Sequence, residues 1–418
     1  MNATSDNSGP AGEITLLTAE NVGEISRRLP FHVRFGLRKL TQMGHGALTI
    51  RLPDGKAFRF VAPGEGPDAE LVLNNWRLAR RALMGGSVGV AESYIDGDWS
   101  SPDVTAFLSL FVVNESLQDE IATPNWFNNA LGKLRHWLNE NTRSGSRRNI
   151  SAHYDLGNAF YSRWLDRTMT YSSAIFDRGA NSLAAAQEAK YRSLTTRAEI
   201  GPDHSVLEIG CGWGGFAEFA AREIGCHVTG LTISREQYDY ARERVFRAGL
   251  NEKVDIKFQD YRDERGTYDR IASIEMFEAV GERYWPTYFE RVRDCLKSGG
   301  RAGLQIITIA DRRYDRYRSE PDFIQRYVFP GGMLPSPSIL GRLGREAGLI
   351  LSSERIFAHD YARTLAEWRD RFREAWHEIK PLGFDDRFKR MWEFYLHYCE
   401  AGFLSGNIDV RQVFYQRN

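Results

Sequence analysis

Four glycines crowd the stretch VLEIGCGWGG, at positions 210, 212, 214 and 215, between an apolar run and a helix-like run. Bare backbone at such a turn lets a ligand come close to main-chain atoms, beside a helix N-terminus. The pattern is not G-x-G-x-x-G, because residue 213 is Trp. A dinucleotide site also calls for an acid about 20 residues on, at the end of the second strand. That strand ends in GLTISREQ, with no acid before Glu236, so recognition falls to the hydroxyl and amide groups of Thr232, Ser234 and Gln237. A dinucleotide is disfavoured. A second chemical residue, Glu278 in EMFEAVG, falls just past another apolar run. In open α/β sheets that carboxyl edge is where ligands sit, although a surface salt bridge is the plain alternative.

The elements that must carry these residues alternate. Strands are expected at Val206–Gly210, His227–Ile233, Val254–Asp260, Tyr268–Met276 and Arg301–Ile309, each a near-continuous apolar run, with helices between them. A helix (336–348), a run at 349–358, helices at 364–379 and 384–404 and the closing IDVRQVFYQ follow. That is a doubly wound α/β sheet with C-terminal additions. Upstream, GALTIRL and KAFRFVA alternate as strands do, and AELVLNNWRLARRALMGG has helical periodicity. The expected organisation is a flexible tail (1–15), a small α+β and helical domain (16–142), a polar linker (143–149) and an α/β domain (150–418).

Composition narrows the function. The chain has 418 residues, of which 42% are hydrophobic, and 55 basic residues balance 55 acidic ones, so net charge points to no polyanion. Cys211, Cys226, Cys295 and Cys399 show no metal-ligand spacing, which suits reduced thiols and a cytoplasmic chain. The N-terminus lacks a signal-peptide pattern, and VTAFLSLFVV falls short of the ~20 residues that cross a bilayer. A protein that is soluble or peripheral on a membrane is expected.

Taken in order, HYDLGNAFYSRWLDRTMTYSSAIF, VLEIGCGWGG, LTISREQ, QDYRD, EMFEAVG, YVFPGGMLPS, HDYARTL and YCEAGFLSGNIDVRQV resemble the motifs of cyclopropane-fatty-acid synthases and mycolic-acid methyltransferases. GGSVGVAESYIDGDWSS is similar to the small domain that precedes the catalytic one in the bacterial synthases. The resemblance implies a Rossmann-like class I methyltransferase sheet, mostly parallel with an antiparallel C-terminal strand, and lid insertions. It implies S-adenosylmethionine as cofactor and an unsaturated phospholipid acyl chain as substrate. Gly210, Gly212 and Gly214 would lie under the cofactor's amino-acid end, with Tyr171 and Ser172 closing over it. Thr232, Ser234 and Gln237 would meet the ribose region, and Asp260 with Tyr261 the adenine. For Tyr171 the bland reading is core packing.

An alkene attacks a sulfonium methyl without acid catalysis, so the enzyme must align the two and exclude water. The cation that results loses a proton either from the new methyl, closing a cyclopropane, or from a chain carbon, giving a methyl-branched alkene. The family resembled holds a bicarbonate ion as presumed base, in a pocket of Cys, Glu, His and Tyr. This chain keeps Glu278 and Tyr361 but has Ser173 for the Cys, Gln305 for the His and Ala279 for the His that follows the Glu. Serine and glutamine can hydrogen-bond an anion, but the imidazole is gone. Methyl transfer is expected to survive, with a tilt toward the branched product.

Reaching a bilayer calls for docking. RRLPFHVRFGLRKL (27–40) holds five Lys/Arg and no acid, and KLRHWLNENTRSGSRR (133–148) is also basic. Both suit peripheral contact with anionic headgroups of the inner membrane, or else a solvated face; the N-terminal domain could also carry homodimer contacts. No nucleic-acid module is recognisable. The long excursion 309–336 is expected to form a lid over the acyl chain. Rival readings are a methyltransferase of a small amine and a non-catalytic lipid-binding relative.

Overall fold

The computed structural model describes residues 14–115, 156–177, 179–320 and 322–418. The basic 133–148 stretch and the 143–149 linker lie outside them. The described residues fall into two compact units, one comprising those before 116 with Asp386–Ala401, the other those from 156 to 385 with 402–418.

In the first unit five strands form a sheet in the order β1-β3-β2-β4-β5: β1 Ile14–Leu16, β2 His45–Arg51, β3 Ala57–Val61, β4 Gly64–Leu73 and β5 Trp99–Ser100. The strand at Ile14 begins inside the expected tail. Helices α1 (Phe31–Leu40), α2 (Arg77–Ile95) and α3 (Val104–Val113) accompany the sheet. The helical periodicity of AELVLNNWRLARRALMGG misleads over its first half, because Ala69–Leu73 is the end of β4, with Ala69–Val72 paired to β2 and Leu73 to β5. Pairing with a neighbouring strand overrides local pattern there, and the helix starts at Arg77. Asp103 caps α3 by accepting from the Ala106 N–H at 2.9 Å.

The second unit is a seven-stranded sheet in the order β11-β12-β10-β9-β6-β7-β8. Its strands are β6 Ser205–Ile209, β7 His227–Thr232, β8 Val254–Phe258, β9 Tyr268–Ile274, β10 Leu296–Ile309, β11 Leu349–Ile356 and β12 Ile408–Arg417. β6 to β10 run parallel, and β12 lies antiparallel between β10 and β11, as the sequence predicts. Its helices are α4 Asn158–Trp164, α5 Leu183–Arg197, α6 Gly215–Phe219, α7 Arg235–Arg247, α8 Trp285–Cys295, α9 Asp311–Ser319, α10 Pro337–Glu346, α11 Ala358–Glu374 and, beginning in the first unit, α12 Asp386–Leu404.

Alternate side chains of the strands explain the apolar runs. Leu207, Ile209 and Leu304 pack with Trp285, Phe289 and Leu340 of α8 and α10 on one face. Val206 and Val228 pack with Leu194, Phe216 and Val245 of α5, α6 and α7 on the other. Both faces are covered, so every second position must be apolar on each side. The excursion after β10 carries α9 and a short helix, Phe323–Tyr327, rather than an open loop. It is tied down where the Met333 N–H donates to the Glu278 carbonyl at 2.9 Å.

Gly344 lets α10 lie against β12: a Cβ there would sit 2.4 Å from Tyr415 Cε1. Gly344→Ala is expected to destabilise the protein by about 1–3 kcal/mol in denaturant unfolding, because a buried ring must move to make room.

Candidate active site

The carboxyl ends of β6, β7, β9 and β10 converge on one place. Gly210 and Gly212 follow β6 with φ of 82° and 51°, a backbone only glycine adopts readily. Next to them, Glu275 follows β9, and its φ of 49° is left-handed although it bears a side chain. Such a conformation costs roughly 1–2 kcal/mol and persists where surrounding contacts dictate it.

Those contacts are explicit. Glu275 Oε1 accepts from the Ser173 N–H at 2.8 Å and from Gln305 Nε2 at 2.7 Å, while Oε2 accepts from the Tyr361 hydroxyl at 2.6 Å. The Glu275 N–H donates to the Gln305 carbonyl at 2.8 Å. Three of the four residues expected to surround an anion therefore surround a carboxylate of the chain itself. Glu278, the fourth, is half-buried nearby. Its Oε1 accepts from the Ile307 N–H at 2.5 Å, and its Oε2 is buried without a partner.

The two carboxyls differ in support. Burial, and then the neighbouring Glu275 carboxylate, push the Glu278 carboxyl up to about 8, so it carries a proton at neutral pH. Burial also raises Glu275, but the Tyr361 hydroxyl and the Gln305 amide oppose it, followed by the Lys190 charge. With three donors against one, Glu275 is the member of the pair that ionises.

Sequence reasoning missed Glu275. Its signal was a second acid three residues before Glu278, in the same strand-end motif that lost the His, while a Cys and a His were lost elsewhere. It also missed Lys190. That side chain is fully buried, and Nζ donates to Ser172 Oγ and Gln187 Oε1, both at 2.7 Å. Burial lowers its pKa to about 7 against the pull of Glu275, Asp166 and Glu208.

The expected cofactor residues each have partners of their own. Thr232 Oγ1 donates to Gln237 Oε1 at 3.0 Å, and Ser234 caps α7 by accepting from the Gln237 N–H at 3.4 Å. All three are buried at the end of β7. Tyr171 packs among Tyr161, Trp164 and Trp368 with ring centroids 5.4, 5.7 and 5.1 Å away, so it belongs to an aromatic wall. Asp260 is held by Arg262 through bonds of 2.9 and 2.6 Å, with Tyr261 beside it.

S-adenosylmethionine fits what is present. A Cβ on Gly212 would meet nothing within 4 Å, so open space lies over the turn, whereas Cβ atoms at Gly210 and Gly214 would press on Met276 and Ala241. Glu208, buried just before the turn, has an unpartnered Oε2, and burial pushes its carboxyl up to about 8. Bicarbonate does not fit: the Ser173, Gln305 and Tyr361 donors already bond Glu275, and a second anion would face that carboxylate directly. Among the described residues no His, Cys, Asp and Glu group could hold a metal, and no helix is long and apolar enough to cross a membrane.

A carboxyl raised from 4.5 to about 8 on folding binds more protons in the native state between those values. Stability should therefore fall as pH rises from about 5 to 8, by up to about 1.4 kcal/mol per unit from this group. Glu278→Gln is expected to flatten that slope in denaturant melts at pH 5 to 9, and an unchanged slope would place the proton elsewhere.

Residues 141–413 match the family model of mycolic acid cyclopropane synthetase. Tuberculostearic acid methyltransferase UfaA1 of Mycobacterium tuberculosis is 37% identical over 413 residues, covering 96% of this chain and 92% of the relative. The cyclopropane-fatty-acyl-phospholipid synthase of Escherichia coli K12 is 37% identical over 88% of this chain and 95% of its own. Among solved structures, mycolic acid cyclopropane synthase CmaA1 complexed with SAH and CTAB superposes with a TM-score of 0.61 at 27% identity, covering 65% of this chain and 98% of that one. The chain belongs to the mycolic acid cyclopropane synthetase family of S-adenosylmethionine-dependent methyltransferases.

Proposed function

We propose that this enzyme methylates the double bond of an unsaturated phospholipid acyl chain and releases a methyl-branched unsaturated chain, with Glu275 as the base. The observation that carries the reading is the Glu275 carboxylate, half-buried and seated on the Ser173, Gln305 and Tyr361 donors that the family resemblance assigns to a bicarbonate ion.

The bound sulfonium supplies an electrophilic methyl, and its capture by one alkene carbon leaves positive charge on the other. Gly210, Gly212 and Gly214 would hold the cofactor's amino-acid end, with Tyr171 and Ser172 over it. Thr232, Ser234 and Gln237 would take the ribose and Asp260 with Tyr261 the adenine. Tyr361 stacks on Phe403 at 4.3 Å and stands edge-on to Trp368 at 6.2 Å. Such faces stabilise a cation by roughly 0.5–2 kcal/mol each without trapping it. Glu275 then takes a proton from a chain carbon beside the cation, and the C–H pair becomes the new double bond. Glu278, neutral, keeps the pocket from holding two negative charges. A base fixed to the backbone, unlike a separate ion, stays at the wall; this and the relative named for tuberculostearic acid support the branched product.

Docking would use α1, which buries Val33, Leu37 and Leu40 and leaves Phe31 78% exposed beside Arg38 and Lys39. The helical excursion 309–336 would cover the acyl chain.

Incubation with oleoyl-phospholipid bilayers and S-adenosylmethionine should yield fatty acids whose proton NMR shows a branched alkene and no upfield cyclopropyl signals. Glu275→Gln should lower turnover at least about 100-fold. Cyclopropyl signals from the native enzyme would refute the branched product. Replacing Arg38 and Lys39 by Ala should weaken sedimentation with anionic vesicles about fivefold per charge at low salt, and leave neutral vesicles unaffected.

A further inference from the structure

A row of polar side chains crosses the sheet to the Glu275 carboxylate. In the strand registers Arg355 of β11 is opposite Gln412 of β12, and Gln412 is opposite Gln305 of β10. Gln305 and Gln412 are 1% and 0% exposed, so their amides must find partners inside the protein.

The partners give the row a direction. Arg355, which can only donate, bonds Asp177 at 2.7 Å and Ser193 Oγ at 3.2 Å. With its oxygen accepting from Arg355, the Ser193 hydroxyl donates to Gln412 Oε1 at 2.8 Å. Gln412 Nε2 donates to Gln305 Oε1 at 3.1 Å and to the Lys190 carbonyl at 3.2 Å. Gln305 Nε2 is left to donate to Glu275 Oε1 at 2.7 Å and to the Ser173 carbonyl at 3.3 Å. Each amide is thus oriented from both ends, since a guanidinium cannot accept and a carbonyl cannot donate. If Gln305 were flipped, its Oε1 would face the carboxylate.

We propose that Gln412, oriented by Ser193 and Arg355, is a positioning residue for the reaction: it fixes the Gln305 amide so that its N–H, not its carbonyl, meets Glu275. Strand register sets Arg355, Gln412 and Gln305 side by side and Ser193 reaches in from α5, so no substrate or cofactor contact is required of Gln412. The inference rests on Glu275 being the base, and Glu275→Gln, run in parallel, tests that reading separately.

The experiment compares Gln412→Leu and Ser193→Ala with the native enzyme, measuring kcat and KM on unsaturated bilayers and the Kd for S-adenosylhomocysteine. Expected is a fall in kcat of about tenfold for Gln412→Leu and about threefold for Ser193→Ala, because one buried donor is lost or loosened, with KM and Kd within about twofold. A native kcat in Gln412→Leu overturns the proposal, and so does a joint loss of S-adenosylhomocysteine binding, which would make the row a scaffold only. Should Gln412→Leu fail to fold, an unchanged kcat in Ser193→Ala overturns it. If Glu275→Gln is inactive while both variants keep the native kcat, the positioning role fails and the base survives. If Glu275→Gln keeps native turnover, the reading of Glu275 fails first.

Discussion

A half-buried carboxylate held by three donors is the interaction on which this active site depends. An ionised Glu275 away from water would be costly by itself, and the left-handed backbone that aims it adds further strain. The Ser173 N–H, the Gln305 amide and the Tyr361 hydroxyl make that arrangement stable, and each comes from a different part of the chain. Parallel strands ending side by side bring them together, as open α/β sheets do at their carboxyl edge. The fold's task is to keep several donors aimed at one pair of oxygens.

The same logic separates the two glutamates. Three residues apart, they cannot share the pocket as two charges, and the one with a single backbone donor and an orphaned oxygen gives way. On the proposed mechanism a neutral Glu278 would leave one negative centre to balance the positive charge passing from the cofactor to the acyl chain. There the aromatic wall around Tyr361 and Trp368 would handle the cation in transit, since ring faces attract charge without bonding to it.

Much of this was legible in the amino-acid order. The apolar runs of β6 to β10 located the sheet because strands covered on both faces leave few polar positions. The four glycines pointed to a tight turn after β6, where Gly210, Gly212 and Gly214 all have positive φ, and the replacements at Ser173 and Gln305 pointed to an altered anion pocket. What could not be read was the compensation. Glu275 looks in sequence like any acid at a strand end, and only a backbone turned left-handed brings it onto donors roughly 30 to 100 residues away. Lys190 and Gln412 were hidden for a related reason: one resembles a helix-surface cation and the other a strand-edge amide until packing buries them. The start of α2 was misjudged because AELVL has a helix's periodicity but pairs with β2 and β5.

The most direct measurement is chemical rescue of Glu275→Gly, a substitution that suits the positive φ and empties the donors' centre. In carbonate-free buffer this variant should lose methyl transfer to unsaturated acyl chains, and added bicarbonate or formate should restore it in proportion to anion concentration. Turnover of Glu275→Gly at the native rate with no anion present would contradict the assignment of the base.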